Sequence, residues 1–240
     1  MLRSKLLAAA AIALPMIAGA TSAQANIVGL TIDGSGSISA ANWTLQKQGY
    51  ANALTALLNT DGSNSVGVWM FDDNVTHVFG VTKIDSAAAK TNLINAILGM
   101  SQPGGFTAIG DSIVTAANAL NAFNTVANCG SIGGCGARII DVSTDGFNNS
   151  GVSPVTAANA AFATGIKVNC LGIGGAADCT WNNATNGQDW NATTFAEFEA
   201  AITSKLSQEL TKTPEPITMS LFGAGLLGAA ALRRRKAKTA

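Results

Sequence analysis

The chain has 240 residues, with 14 basic and 14 acidic side chains, one histidine and four cysteines. The charges are unevenly distributed: segment 26–212 contains thirteen acidic and seven basic residues, which leaves it about six negative charges. A negative surface repels phosphate backbones, so we predict no nucleic-acid partner. The segment is long enough for one domain with its own core. A single histidine and widely spaced cysteines argue against a zinc site.

The N-terminus has the pattern of a secretory signal peptide. Two basic residues precede an uncharged apolar stretch (residues 6–18), and Ala23-Gln24-Ala25 is a small-residue cleavage signal. Ala18-Gly19-Ala20 is a weaker alternative signal. We therefore predict that the chain is exported and that a signal peptidase removes residues 1–25.

Strand-like and helical patterns then alternate along the chain. We predict strands at 27–32, 66–71, 75–81, 138–144 and 166–173. We predict one helix capped by Ser39 and others at 86–98, 108–127, 154–164 and 193–210. The strand at 75–81 mixes polar and apolar residues, which favours an antiparallel edge position. The pattern predicts an α/β fold: a doubly wound, mostly parallel sheet with one antiparallel edge strand and helices on both faces.

Oxygen-bearing side chains follow two of these strands. Asp33-Gly34-Ser35-Gly36-Ser37 comes directly after the first strand, and its glycines let the backbone turn so that three side-chain oxygens face one point. Asp145 ends the fourth strand, and Thr107 lies at the start of a predicted helix. Because the carboxyl ends of parallel strands meet at one edge, we expect these oxygens to converge there. An all-oxygen set suits Mg²⁺ or Mn²⁺.

The order Asp-x-Ser-x-Ser, distant Thr and Asp-Gly resembles the metal-ion-dependent adhesion site of von Willebrand factor type A (vWA) domains. The likeness runs from Asn26 to about Leu210. Within it, the sequence resembles a bacterial branch of the vWA domains whose function is uncharacterised. It implies a Rossmann-like fold that binds one divalent cation, Mg²⁺ or alternatively Mn²⁺ or Ca²⁺. It also implies that the cation's open position takes an acidic group of a protein or matrix ligand. The ligands carried over are Asp33, Ser35, Ser37, Thr107 and Asp145.

Other candidate residues have simpler interpretations. Ser143 precedes Asp145 by two residues and shares its side of the strand, so we predict that it supports the metal ligands; a plain strand hydroxyl is the alternative. Asp141 lies deeper and is expected to make a structural hydrogen bond. His77 has no nucleophile nearby in the sequence and is interpreted as structural. Residues 182–189 lack the alternation of a calcium loop and are predicted to form an irregular surface segment.

All four cysteines lie in the exported part of the chain, where disulfides persist. Three pairings are available. We favour the two local ones, Cys129 with Cys135 and Cys170 with Cys179. Each would stabilise the fold by about 2–3 kcal/mol on a chain-entropy estimate.

The C-terminus combines three features in order. Pro214-Glu215-Pro216 ends any preceding helix, because proline lacks an amide proton and clashes with the previous turn. Residues 217–232 carry no charge and, as a helix, would span roughly 24 Å of a hydrocarbon core of about 30 Å. A basic cluster follows, which the positive-inside rule keeps cytoplasmic: Arg233, Arg234, Arg235 and Lys236.

Together these features resemble the PEP-CTERM sorting signal of Gram-negative bacteria. The resemblance implies a transient inner-membrane anchor, processing by an exosortase near Pro214-Glu215-Pro216, and delivery to the cell envelope, cell surface or extracellular matrix. A plain tail anchor is the alternative. The predicted organisation is therefore a signal peptide (1–25), a vWA-like domain (26–212) and a sorting segment (213–240).

The functional prediction is an exported, metal-dependent binding module and not an enzyme. One alternative is a structural envelope or matrix protein whose metal only stabilises the fold. The other is a metal-dependent hydrolase. For a hydrolase, the sequence contains no candidate general base besides the metal ligands and no Gly-x-Ser-x-Gly elbow.

Overall fold

The computed structural model describes residues 25–130, 134–182 and 187–210. Its elements in chain order are β1 (Asn26–Asp33), α1 (Ala40–Leu57), β2 (Asn64–Phe71), β3 (Val75–Lys83), α2 (Ala87–Leu98), α3 (Ile109–Phe123), α4 (Val126–Cys129), β4 (Arg138–Thr144), α5 (Pro154–Ala163), β5 (Ile166–Ile173), β6 (Asp189–Ala192) and α6 (Phe198–Glu209). Apart from Ala25, the predicted signal peptide and sorting segment lie outside this part of the chain. Within it, no helix is long and apolar enough to cross a membrane.

The strands form one six-stranded sheet in the order β3-β2-β1-β4-β5-β6. All neighbouring strands are parallel except β3, which runs antiparallel to β2 at the sheet edge. This order places β1 and β4 side by side at the centre, although more than a hundred residues separate them in sequence. The predicted fold class is confirmed, including its antiparallel edge strand.

Two apolar clusters cover the two faces of the sheet. Alternate residues of β1 divide between them: Val28, Leu30 and Ile32 pack with α1, α2 and α6, whereas Ile27 packs with α3 and α5. Burying each of these aliphatic side chains contributes about 1.5–3 kcal/mol. Gly29 lets α3 approach the strand closely, since a Cβ there would lie 3.0 Å from Leu120 Cδ1.

The structure corrects the predicted elements in three places. A short strand that the sequence did not indicate, β6, begins at the last residue of the segment predicted as irregular and pairs with β5, and the last helix begins at Phe198 rather than Thr193. β6 has only four residues, too few for a clear strand pattern, although Trp190 and Ala192 pack in the apolar cluster on one face of the sheet. The helix predicted at 108–127 ends at Phe123. Next to this break, Asn124 Oδ1 accepts a hydrogen bond from the Cys135 amide at 2.7 Å.

Both local disulfides are present, in agreement with the favoured pairing. Cys129–Cys135 closes a loop before β4, and Cys170–Cys179 ties β5 to the segment after it. The first lies at the amino end of the parallel strands, where the Gly136 amide donates to Ala25 O. The second lies nearer the carboxyl ends, so the two bridges stabilise opposite ends of the parallel strands.

The two ends of the described domain leave it at the same edge. Asn64 Nδ2 donates to Leu210 O and Asn26 Nδ2 donates to Glu209 O, both at 3.4 Å. Asn26 and Asn64 begin β1 and β2, so α6 ends at the amino edge of the parallel strands. The carboxyl edge, where the predicted ligands lie, is opposite.

Candidate metal centre

Three loops meet at the carboxyl edge of the sheet: residues 34–39, 101–108 and 145–153. The first two loops are joined by backbone hydrogen bonds, from the Gly36 amide to Gly105 O and from the Gly104 amide to Gly34 O, both 3.0 Å. Gly105 has a φ of +89°, and a Cβ there would lie 2.6 Å from Asp73 Oδ2. The close approach of these loops therefore requires glycine at this position.

Asp33 ends β1 and is fully buried. Its Oδ1 accepts a hydrogen bond from the Ser35 amide at 2.8 Å, and its Oδ2 accepts one from Thr144 Oγ1 at 2.6 Å. None of the described basic side chains forms an ion pair with it. Burial raises the pKa of Asp33 to about 6, although the hydrogen bonds from Ser35 and Thr144 oppose the increase.

A chain of oxygens leads outward from Ser35, which is buried, to Ser37, which is exposed. The Oγ atoms of Ser35 and Ser37 share a hydrogen bond of 3.1 Å, and Ser37 Oγ donates to Asp145 Oδ1 at 2.5 Å. Partial burial raises the pKa of Asp145, and the Ser37 hydrogen bond opposes this. The β1 loop and the end of β4 therefore meet through side-chain oxygens that reach solvent.

Thr107 lies on the third side of this group and is only 4% exposed. Its amide donates to Asn149 Oδ1 at 2.7 Å, and its carbonyl accepts from the Asn149 amide at 3.1 Å, which fixes it against the loop after β4. A Cβ on Gly146 would lie 4.0 Å from Thr107 Oγ1. The Thr107 hydroxyl itself has no hydrogen-bond partner among the described residues.

Two residues that the sequence did not indicate contact Asp33. Thr144 donates to its carboxylate, and Gln46 Nε2, buried on α1, donates to its carbonyl at 2.8 Å. The register of β1 and β4 pairs Ile32 with Ser143, which places Thr144 beside Asp33. The Ser143 hydroxyl is buried and has no hydrogen bond within the described part of the chain. The supporting role of Ser143 therefore remains a prediction. In the structure it is the next residue, Thr144, that contacts the Asp33 carboxylate.

An apolar rim and an open groove border the site. Phe106 and Phe147 flank the loops of Thr107 and Asp145 and are 62% and 60% exposed. The groove has a volume of about 700 Å³ and begins at Phe147; the other residues that line it are Asn148, Gly151, Ser153, Pro154, Val155, Asp178, Thr180 and Trp181. The Asp178 amide donates to Gly146 O at 3.0 Å, so one wall of the groove is attached to the loop that follows Asp145.

The donor set fits a small, hard cation. Asp33 is a buried carboxylate without a cationic partner among the described residues, and Thr107 is a buried residue whose hydroxyl makes no hydrogen bond within them, two features that a bound cation would satisfy. Among the described residues, no cluster of three or more His, Cys, Asp or Glu side chains could hold a metal ion. Any metal at this edge would therefore depend on serine and threonine hydroxyls.

Two sequence families match the chain. The family described as "Protein of unknown function (DUF1194)" matches residues 25–214, and the PEP-CTERM protein-sorting motif matches residues 212–236. No protein of curated function matches the sequence at a significant level. The sorting motif identified from its proline, apolar and basic parts is confirmed.

Several solved structures share the fold. Proximal thread matrix protein 1 from the mussel byssus, solved with a zinc-occupied MIDAS motif, is 23% identical, with a TM-score of 0.63 over 78% of this chain and 48% of that one. A von Willebrand factor type A protein from Catenulispora acidiphila is 15% identical, with a TM-score of 0.62 over 78% and 43%. The pilus adhesin SpaC from Lactobacillus rhamnosus GG is 18% identical, with a TM-score of 0.60 over 79% and 30%. The described domain therefore has a vWA-type fold, and the chain spans half or less of the length of these three proteins.

Proposed function

We propose, from the premise that the chain belongs to the DUF1194 family of proteins of unknown function, that its domain is an exported, adhesion-type binding module dependent on one divalent cation. The observation that carries the proposal is the meeting of side-chain oxygens from three loops at the carboxyl edge of the sheet. Ser37 bridges Ser35 and Asp145, and Asp33 is buried next to them without an ion pair to any described basic side chain.

Mg²⁺ is the cation that we propose, with Mn²⁺ or Ca²⁺ as alternatives. Ser35, Ser37 and Thr107 would contribute neutral hydroxyls, whereas Asp33 and Asp145 would contribute negative charge directly or through water. With few directly bound carboxylates, the cation would stay electron-poor and would take an acidic group in its open position. The zinc-occupied MIDAS motif of the mussel protein supports a divalent metal at this place in the fold.

The partner that we propose presents an acidic group beside apolar surface. The carboxylate would bind the cation, and Phe106 and Phe147 would contact the apolar surface around it. The chain leaves the domain at the opposite edge, through α6, towards the sorting segment. The site would therefore face away from the membrane when the C-terminus is anchored.

The sorting motif supports a route to this location. It implies export, processing by an exosortase and delivery to the cell envelope. We further propose that signal peptidase removes the N-terminal segment and that the inner membrane of a Gram-negative bacterium holds the chain briefly. The mature domain would then act on the envelope, the cell surface or in the extracellular matrix.

Thermal unfolding tests the metal dependence. The protein, with its disulfides intact, is unfolded in EDTA and then in Mg²⁺, Mn²⁺ or Ca²⁺. We expect a metal-dependent rise in Tm for the wild type and for Asp85→Ala, which removes an exposed carboxylate from the segment between β3 and α2. Asp33→Ala should show no rise, and a rise as large as that of the wild type would contradict the site.

Chelation also separates the binding function from the structural alternative, in which metal serves only to hold the fold. If the metal serves binding, the domain in EDTA stays folded and captures no partner from an envelope extract. If the metal only stabilises the fold, EDTA unfolds the domain near the growth temperature. Partner capture that persists in EDTA would contradict both roles for the metal.

A further inference from the structure

A second buried polar cluster lies between β4 and α6, in the core and not at the carboxyl edge. Lys205 Nζ is 2.8 Å from Asp141 Oδ1 and 3.9 Å from Glu209 Oε1. The side chains of Lys205 and Asp141 are fully buried, and that of Glu209 is 1% exposed. A lysine, an aspartate and a glutamate are thus held together in a space that excludes water.

The neighbours of this cluster fix its geometry. Tyr50 OH donates to Asp141 Oδ1 at 3.0 Å, and Lys205 Nζ donates to Val142 O at 3.3 Å. Asn169 Nδ2 donates to Glu209 Oε1 at 2.7 Å. The other carboxylate oxygens, Asp141 Oδ2 and Glu209 Oε2, are buried without a hydrogen-bond partner in the described part of the chain.

The charge state of Glu209 follows from this environment. Burial, and then repulsion by Asp141, raise the pKa of Glu209 well above its usual range, although the ammonium of Lys205 opposes them. Glu209 therefore holds its proton more readily than an ordinary carboxyl group does. A neutral acid beside a carboxylate and an amine can both donate and accept a proton.

We propose that Lys205 and Asp141 condense to an intramolecular isopeptide bond, with Glu209 as the proton-transfer group. Lys205 first gives a proton to Asp141, which leaves an amine and a carboxylic acid. The Nζ lone pair then attacks Asp141 Cγ, and the Nζ–Cγ bond forms. Glu209 protonates the departing oxygen, the Cγ–O bond breaks, and water leaves while Glu209 recovers a proton from Nζ. The products are one amide and one water, so no oxidant, reductant or cofactor is needed.

The contacts in the structure suit the product as well as the reactants. Tyr50 would keep its hydrogen bond to Asp141 Oδ1 as the amide oxygen, and the new N–H would keep the contact with Val142 O. The oxygen without a partner, Oδ2, is the one that would leave as water. Condensation also replaces two buried charges by a neutral amide, which removes the cost of burying them.

The bond would join the last helix of the domain to the centre of the sheet. β4 ends at the residue before Asp145, and α6 leads to the sorting segment. A force on an anchored C-terminus would then be transmitted from α6 directly to β4 and would not separate the helix from the sheet. The proposal is independent of metal, because none of its three groups belongs to the candidate metal centre.

Mass spectrometry of the mature full chain, with its disulfides reduced, tests the proposal. We expect a mass lower than that of the sequence by one water, about 18 Da. Lys205→Arg and Glu209→Gln should each have their full sequence mass, whereas Lys167→Arg, which changes a lysine outside the cluster, should keep the loss. A wild-type chain at its full sequence mass would overturn the bond.

Peptide mapping of the wild type gives a second measurement that does not depend on a variant folding. We expect a branched peptide in which the segment containing Asp141 is joined to the segment containing Lys205. A loss of water that maps to any other residue would overturn the proposal. A branched peptide that persists in Glu209→Gln would remove Glu209 from the reaction.

Discussion

Two buried aspartates on neighbouring strands differ in how their charge is compensated. Asp33 on β1 and Asp141 on β4 are both fully buried. Asp141 has a cation from its own chain, since Lys205 Nζ lies 2.8 Å away. Asp33 receives only hydrogen bonds from an amide and a hydroxyl. The described part of the chain therefore supplies a counter-charge to one aspartate and none to the other.

The consequence of this difference is a division of roles. A buried charge without a counter-charge costs several kcal/mol, so a fold keeps one where it serves a function or is neutralised. The cluster around Asp141 ties α6 to the sheet. The cluster around Asp33 opens to solvent through Ser37, and it is there that we propose metal-dependent binding.

The largest expected effect comes from removing the internal cation. Lys205→Met leaves Asp141 buried without a counter-charge and also prevents the proposed bond, so we expect a loss of at least about 3–5 kcal/mol in the free energy of unfolding. Urea denaturation measures it. The double variant Lys205→Met with Asp141→Leu removes both charges and should recover the part of the loss that comes from the unpaired charge, but not the part that comes from the missing bond. Wild-type stability in the single variant would mean that the pair is not the tie between α6 and β4.

Removing the other aspartate should have the opposite signature. Asp33→Asn abolishes a buried negative charge, so stability in EDTA should be unchanged or higher. The stabilisation by metal, about 2.7 kcal/mol at a hundredfold excess over Kd, should disappear. Asp85→Asn is the charge-matched control and should keep it. Thermal scans with and without Mg²⁺ give both numbers, and an Asp33→Asn variant that Mg²⁺ still stabilises as much as the wild type would contradict the site.

The two disulfides lie towards opposite ends of the parallel strands, and we expect their removal to affect metal binding differently. Replacing either cysteine pair by serine should cost about 2–3 kcal/mol. Loss of Cys170–Cys179 should also weaken metal binding, because this bridge closes the loop that contains Asp178, whose amide donates to Gly146 O. Loss of Cys129–Cys135, at the opposite edge, should leave the metal affinity unchanged. Equal effects on affinity would show that the loop of Asp178 does not position the site.

The pH dependence of metal binding should report the pKa of Asp33. Its folded pKa of about 6 lies above the ordinary 3.8, so the metal-free fold gains stability from the bound proton below about 3.8 and loses it as pH rises through 6. Metal requires the deprotonated form, so its affinity should fall roughly tenfold per unit as pH drops below about 6. Titrations at several pH values measure this. A flat profile between pH 5 and 7 would exclude Asp33 as the titrating ligand, a window set by its pKa of about 6.

The sequence was sufficient to predict the fold class and the strand ends at which the proposed oxygen ligands lie. Both follow from local patterns: apolar runs, turn glycines and the order of hydroxyls and carboxylates. The sequence did not predict the contacts of Thr144 and Gln46 with Asp33, because these contacts depend on strand register and on the packing of α1. It did not predict the burial of Lys205 and Glu209 either, because charged residues on a terminal helix normally face solvent. Their burial becomes visible only when α6 is placed on the sheet.

A Mn²⁺ titration followed by electron paramagnetic resonance would show whether the site around Asp33 binds a divalent cation, since free and bound Mn²⁺ give distinct signals. We expect one bound Mn²⁺ per chain, displaced by Mg²⁺, in the wild type and in Asp85→Asn. Asp33→Ala should bind none. Equal binding by wild type and Asp33→Ala, or no binding by the wild type at millimolar metal, would contradict a metal site at Asp33.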